Sequence, residues 1–220
     1  MTDWATIASI STAGGTLVLA VATFSSVRSS QRAARIAEQA LRLNLRPVLH
    51  PSRYTDAAEK VRFGDGVYVK VVGGQAAVER RDETIYLVIP LRNVGSGMAV
   101  LHGWRLERVV REFDPVAQRE DRHEAPDPGE FRRLSRDLYV PGGDVGFYQG
   151  AIRLPDDPFR ADAETAEAER DTLIIDLLYG DEVGGQRTIS RFTLAPREED
   201  DRWTPSVIRH WHLDVRGPRE

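Results

Sequence analysis

The sequence predicts a mainly β protein, an antiparallel β-sandwich preceded by a long N-terminal transmembrane and juxtamembrane α-helix. Three observations lead there. Short apolar runs of period two recur from residue 59 onward, turns rich in Gly and Pro separate them, and neither pattern occurs before Pro47.

The first element is Trp4–Val27, 24 uncharged residues bounded by Asp3 and Arg28. As a helix it measures about 36 Å, enough to cross a hydrocarbon core of about 30 Å. Residues 1–27 are therefore expected to be a transmembrane anchor. Ser9, Ser11, Thr12, Thr16 and Thr23 lower its apolarity, but such hydroxyls bond back to the preceding turn. A cleaved signal would need a basic leader, and only Asp3 precedes the run, although Ala20-Val21-Ala22 offers small residues for cleavage. A buried soluble helix would show a polar face within two turns.

Residues 28–46 form the second element, an Arg-rich juxtamembrane helix without Gly or Pro until Pro47 stops it. Arg28, Arg32, Arg35, Arg42 and Arg46 stand against Glu38 alone, a net of +4. Positive flanks stay on the cytoplasmic side, so the rest of the chain is expected in the cytosol. At 100° per residue the five arginines fall within about 80°, a solvated stripe whose first members reach anionic head groups. Small residues at Ala8, Ser11, Gly15, Ala22, Ser26 and Ser29 recur mostly at spacings of three and four, which suits close helix packing in a homo-oligomer.

The third element is a β-sandwich over 47–220, with 25 basic and 32 acidic residues. Its net charge of −7 repels phosphate backbones and argues against a nucleic-acid partner. EKVRF and VYVKVV flank Gly64-Asp65-Gly66, a hairpin. Ile85, Leu87, Ile89 and Leu91 define a strand that Pro90 assigns to an edge or bulge. Further strands are read at 98–110, interrupted at Gly103, and at 131–140, 144–154, 172–180, 186–194 and 206–214. The segment Asp156–Asp171 is a short helical insertion near 157–171, capped by Asp156 or Asp157, with Pro158 in its first turn and Phe159 docking on a sheet.

LRNVGSGMA (Leu91 to Ala99) resembles the strand-end pattern Asn-x-Gly-x-Gly-x-Ala of immunoglobulin-like sandwiches in uncharacterised bacterial membrane-tethered proteins, and YGDEVGGQRTISRF (Tyr179 to Phe192) is similar to a hairpin of the same group. The resemblance implies a fold and a location, a single-pass protein of the bacterial inner membrane with its C-terminal domain cytosolic, and carries no activity. The residues themselves expect Gly95 and Gly97 to bend the chain from one sheet to the other, with Asn93 bonding backbone at the bend. The ratio of 28 Arg to 2 Lys fits a GC-rich bacterial genome.

Chemistry is sparse. The chain has no cysteine, which removes thiol nucleophiles and Cys-built metal sites. Gly180–Thr188 resembles a phosphate loop only superficially, because Gln186 and Arg187 stand where Lys and Ser/Thr belong. His210 and His212 share one face of a strand, a chelating spacing that His102 joins if its strand is adjacent; the commoner reading is a surface or interface without metal. Trp104, Trp203, Trp211, Tyr148 and Tyr179 are assigned to the core. No catalytic, cofactor-binding or metal residue is assigned. The expected function is a membrane-tethered interaction module for an unknown protein partner, with sheet edges and the acidic stretch Glu112–Glu130 as contact surfaces. The alternative is an enzyme or a ligand or metal sensor with a pocket between the sheets.

Overall fold

A computed structural model describes residues 4–109 and 124–214. The chain divides into two units at Asn44/Leu45. The first contains helix α1, Trp4–Asn44, a single rod of 41 residues measuring about 62 Å at the standard rise. Arg46 falls beyond its end and bonds Gln186 of the β unit instead.

No helix among the described residues is long and apolar enough to cross a membrane. The span expected over Trp4–Val27 is thus not borne out. Side chains of α1 are described from Gly14 onward, so the first ten residues of that span lie outside the described side chains. Residues 14–27 would reach only about 21 Å, and Gly14, Gly15, Thr16 and Thr23 dilute them further.

The β unit is mainly antiparallel sheet. Its elements run β1 (Leu49–Pro51), β2 (Glu59–Arg62), β3 (Tyr68–Val71), β4 (Ala77–Arg81), β5 (Thr84–Asn93), β6 (Ala99–Arg108), β7 (Arg132–Val140), β8 (Val145–Ile152), α2 (Arg160–Glu169), β9 (Leu173–Gly180), β10 (Thr188–Pro196) and β11 (Trp203–His212). One sheet runs β11-β10-β9-β6-β7; a second is centred on β5 and includes β1, β4 and β8; β2 and β3 pair as a separate hairpin. Leu87, Leu91 and Tyr148 of the β5 sheet meet Leu101, Leu177, Phe192 and Trp203 of the other in one buried cluster, which is the main core. A smaller cluster lies under the hairpin, where Val61, Phe63, Val69 and Val71 pack on Ala77, Tyr86 and Val88.

The strand β5 is central, which corrects the edge position expected from Pro90. Residues Ile85–Arg92 pair with β8 on one side. On the other, β4 pairs up to Val88 and β1 begins at Leu91. Pro90 sits in that gap, so its missing N–H interrupts no ladder, while its carbonyl accepts from Ser52 N–H at 2.9 Å.

The expected bend between sheets is built around Asn93. Its Oδ1 accepts from Val48 N–H (3.1 Å) and Gly95 N–H (3.0 Å), and its Nδ2 donates to the carbonyls of Gly97 (2.6 Å) and Val140 (3.0 Å). Asn93 is fully buried, and all four hydrogen-bonding capacities of its amide are used. Gly97 is required there because a Cβ would run into the Leu45 carbonyl oxygen.

The insertion folds as α2, with a different start from the one expected. Phe159 occupies the cap position in helical conformation and makes no side-chain cap bond. Asp157 instead accepts from Phe159 N–H at 3.1 Å and pairs with Arg132. The Phe159 ring docks as expected, 5.0 Å from Trp104.

Candidate functional site

Three places bear on function: a histidine corner, the loop after β9, and a groove where β7 and β8 diverge.

The corner lies where β1 approaches β11. Pairing of β10 with β11 sets Ser190 opposite His210 and Thr188 opposite His212. Ser190 Oγ lies 2.6 Å from His210 Nδ1 and 2.9 Å from the Tyr179 hydroxyl, which also accepts from Leu49 N–H at 3.3 Å. The His50 ring stands 5.3 Å from that of His210. His50, not His102, is therefore the third histidine; β9 and β10 separate β6, which carries His102, from β11.

Burial lowers the His210 pKa to about 4, helped by the nearby His50 and His212. Burial, then Arg46, also lowers that of His212. The two rings of β11 are accordingly neutral near pH 7.

Neutral imidazoles suit metal binding, but both Nδ1 atoms here are bonded to hydroxyls. Among the described residues no group of three His, Cys, Asp or Glu is placed to hold a metal ion. Nor is Ser190 an accessible nucleophile. It is fully buried, and its oxygen lies between Tyr179 and His210. The geometry is that of a largely buried polar network joining four strands, β1, β9, β10 and β11.

The loop after β9 is a tight turn. The Asp181 carboxylate accepts from Val183 N–H (3.1 Å), Gly185 N–H (2.7 Å) and the Gln186 side-chain Nε2 (3.4 Å). Those amides, which a phosphate would need, already serve an internal anion, and a strand follows where a phosphate loop requires a helix.

The aromatic residues divide. Trp104, Trp203, Tyr148 and Tyr179 are buried in the core. Trp211 lies half-buried outside it, with the guanidinium groups of Arg191 and Arg209 at 5.1 and 5.4 Å from its ring. Arg191 also makes a bidentate pair with the buried Asp176 at 2.7 and 2.8 Å.

The groove has a volume of about 510 Å³ and lies between β7, β8 and the β2–β3 turn. Among the described residues β7 and β8 each pair with a neighbouring strand on one side only, and the two strands lie near each other. Near the turn joining them they touch, and a Cβ on Gly146 would meet Val140 Cγ2 at 2.7 Å. Farther along, β7 changes register from Leu101↔Leu138 to Gly103↔Arg133, leaving Leu134–Asp137 as a wide bulge opposite His102.

Arg132, Arg133, Arg136 and Arg153 line this opening with Asp65 as the acid among them. Arg153 pairs with Asp65 at 2.8 Å, and Asp65 also accepts from the Tyr86 hydroxyl at 2.9 Å. Burial raises the Asp65 pKa, but the bonds from Arg153 and Tyr86 outweigh it and hold the carboxylate below its ordinary range. Arg136 bonds Gln149 across the groove. Sequence reading missed this site because three of its arginines come from β7 and one from just beyond β8, among 28 arginines in the chain. The acidic contact surface expected at Glu112–Glu130 lies outside the described residues over 112–123. Compared with protein-family models, curated proteins and solved structures, the chain gives no match.

Proposed function

We propose that this protein is an interaction module: an immunoglobulin-like β-sandwich in the cytosol, tethered by its N-terminal helix at the bacterial inner membrane, that binds another protein. The observation carrying this reading is the pair of open strand edges at β7 and β8 beside exposed arginines. Open edges offer unpaired main-chain groups to a partner strand. The Ser190 and Tyr179 hydroxyls are, by contrast, fully buried, and Ser190 is bonded to both Tyr179 and the half-buried His210.

Support for the tether comes from the 24 uncharged residues and the arginines after them. Leu17, Leu19, Val21 and Phe24 are each more than 60% exposed. At 100° per residue they fall at about 0°, 200°, 40° and 340°, so apolar side chains occupy both sides of the rod. Such a rod needs lipid or another helix around it. The small residues Gly15, Ala22, Ser26 and Ser29 suit a second copy as that neighbour.

Fractionation of cells expressing the full chain tests the tether. Recovery with membranes after alkaline carbonate washing, and release by mild detergent with a protein partner attached, is the expected result. A full chain that stays in the soluble fraction, unprocessed and alone, refutes it.

A further inference from the structure

We propose that the groove between β7, β8 and the β2–β3 turn is the binding site for an extended acidic peptide segment of the partner protein. The inference rests on the interaction reading above and adds the site and the chemistry of what it recognises.

Charge is the first argument. The domain carries −7 over residues 47–220, yet this groove gathers four arginines against Asp65. Arg132 is committed to Asp157, whose side chain is fully buried, and its guanidinium lies 5.7 Å from the Trp104 ring. Arg153 is committed to Asp65. Arg136 has only the neutral Gln149 and the Arg62 carbonyl as partners, and Arg133 makes no ion pair among the described residues. Two guanidinium groups of β7, Arg133 beside the bulge and Arg136 on it, thus have no carboxylate partner among the described residues of an otherwise acidic domain. Each presents a fork that fits a carboxylate with two parallel bonds.

Shape is the second. β7 and β8 touch at Val140 and Gly146 and open toward Leu134–Arg136 on one side and Gln149–Arg153 on the other. The open end is a wedge with a strand edge on each wall. An extended chain entering it finds main-chain partners as well as charge, whereas a free phosphate uses only the charge. Along such a chain, side chains two residues apart lie about 7 Å apart on one face. An alternating acidic and apolar segment directs its carboxylates to Arg133 and Arg136 and its apolar side chains to Phe63, Leu134 and Leu138, which also line the groove. Nucleic acid offers anions too, but the surrounding acidic surface repels a long polyanion.

Fluorescence anisotropy of a labelled peptide of alternating Asp and Val, titrated with the full-length chain in mild detergent, tests this. Binding that weakens roughly tenfold or more in the double variant Arg133→Ala/Arg136→Ala, and again on raising salt from about 50 to about 500 mM, is expected. Lys60→Ala/Lys70→Ala, on the exposed face of the hairpin, should change it less than about twofold. A peptide with Asn for Asp should not bind. Circular dichroism melts of both variants should match the parent, since the arginines and lysines changed are exposed. No binding of the acidic peptide, equal binding by the Arg133/Arg136 variant, loss in the lysine variant instead, or binding of inorganic phosphate or duplex DNA in place of the peptide would each overturn the proposal. A protein partner retained equally by the parent and the Arg133/Arg136 variant sinks the groove and leaves the interaction reading standing. Peptide bound at the groove, with no protein ever retained, keeps the groove and removes that reading.

Discussion

The two ends of the β7–β8 pair differ in how their polar groups are satisfied. At the closed end Asn93 gives every capacity of its amide to the protein, Val140 presses on Gly146, and Gly143 N–H bonds the Asn93 carbonyl at 2.9 Å. At the open end, one bulge away, Arg133 and Arg136 point long cationic side chains into a groove with little to pair them. The same two strands thus invest in folding at one end and keep binding capacity at the other. A buried unsatisfied amide is costly, whereas an exposed guanidinium loses little by lacking a partner.

The sharpest way to break this contrast is Asn93→Ala. It leaves the N–H groups of Val48 and Gly95 and the carbonyls of Gly97 and Val140 without partners, and should cost about 3 kcal/mol or more in urea unfolding. A loss below about 1 kcal/mol would show that water replaces the amide and that the closed end is not sealed.

Next in size is the pH response of the other seam, where β1 meets β11. His210 titrates near pH 4 in the folded chain against an ordinary 6.5. Below pH 6.5 the unfolded imidazole takes up a proton that the folded one refuses. Stability is therefore full above about 6.5, falls as the pH drops toward 4, and levels off below that. The loss should be at most about 3 kcal/mol, less where water reaches the ring. His210→Gln should flatten that part of a stability–pH curve; an unchanged curve would assign the acid sensitivity elsewhere.

Gly150→Ala probes the middle of β8. A Cβ there would strike the hydroxyl of Tyr148, a fully buried ring with little room to move, and a loss of about 1–3 kcal/mol is expected in thermal melts. At the open end Arg133→Ala should shift stability by less than about 0.5 kcal/mol. A larger loss there would mean that the arginine supports the bulge, and would erase the distinction between the two ends.

Much of this architecture was readable in residue order. The hairpin around Gly64–Gly66, the interruption of β6 at Gly103 and the Asn93 bend all follow from local pattern, because alternation and turn chemistry act over a few residues. β1 and β4 were not foreseen. Leu49–Pro51 is too short to alternate, and Ala77–Arg81 turns charged after two apolar residues. Pro90 misled for a related reason: the gap that accommodates it is created by two strands distant in sequence. The candidate site was less legible still. Arg133 and Arg153 meet only because β7 and β8 diverge beyond their turn, and His50 reaches His210 only because β1 lies beside β11. Such encounters leave no periodic trace in a chain where arginine is everywhere.

The β2–β3 hairpin has a consequence of its own. Among the described residues it pairs with no other strand; it rests on a separate small apolar cluster and is fastened by side chains, through Asp65 to Tyr86 and Arg153 and through the Arg62 carbonyl to Arg136. Its amides should exchange with solvent sooner than those of β5 or β9, because it can lift away without disturbing the main core. Phe63, Gly64 and Asp65 form one side of the arginine groove, so the width of that aperture depends on how firmly the hairpin is held to the rest of the domain.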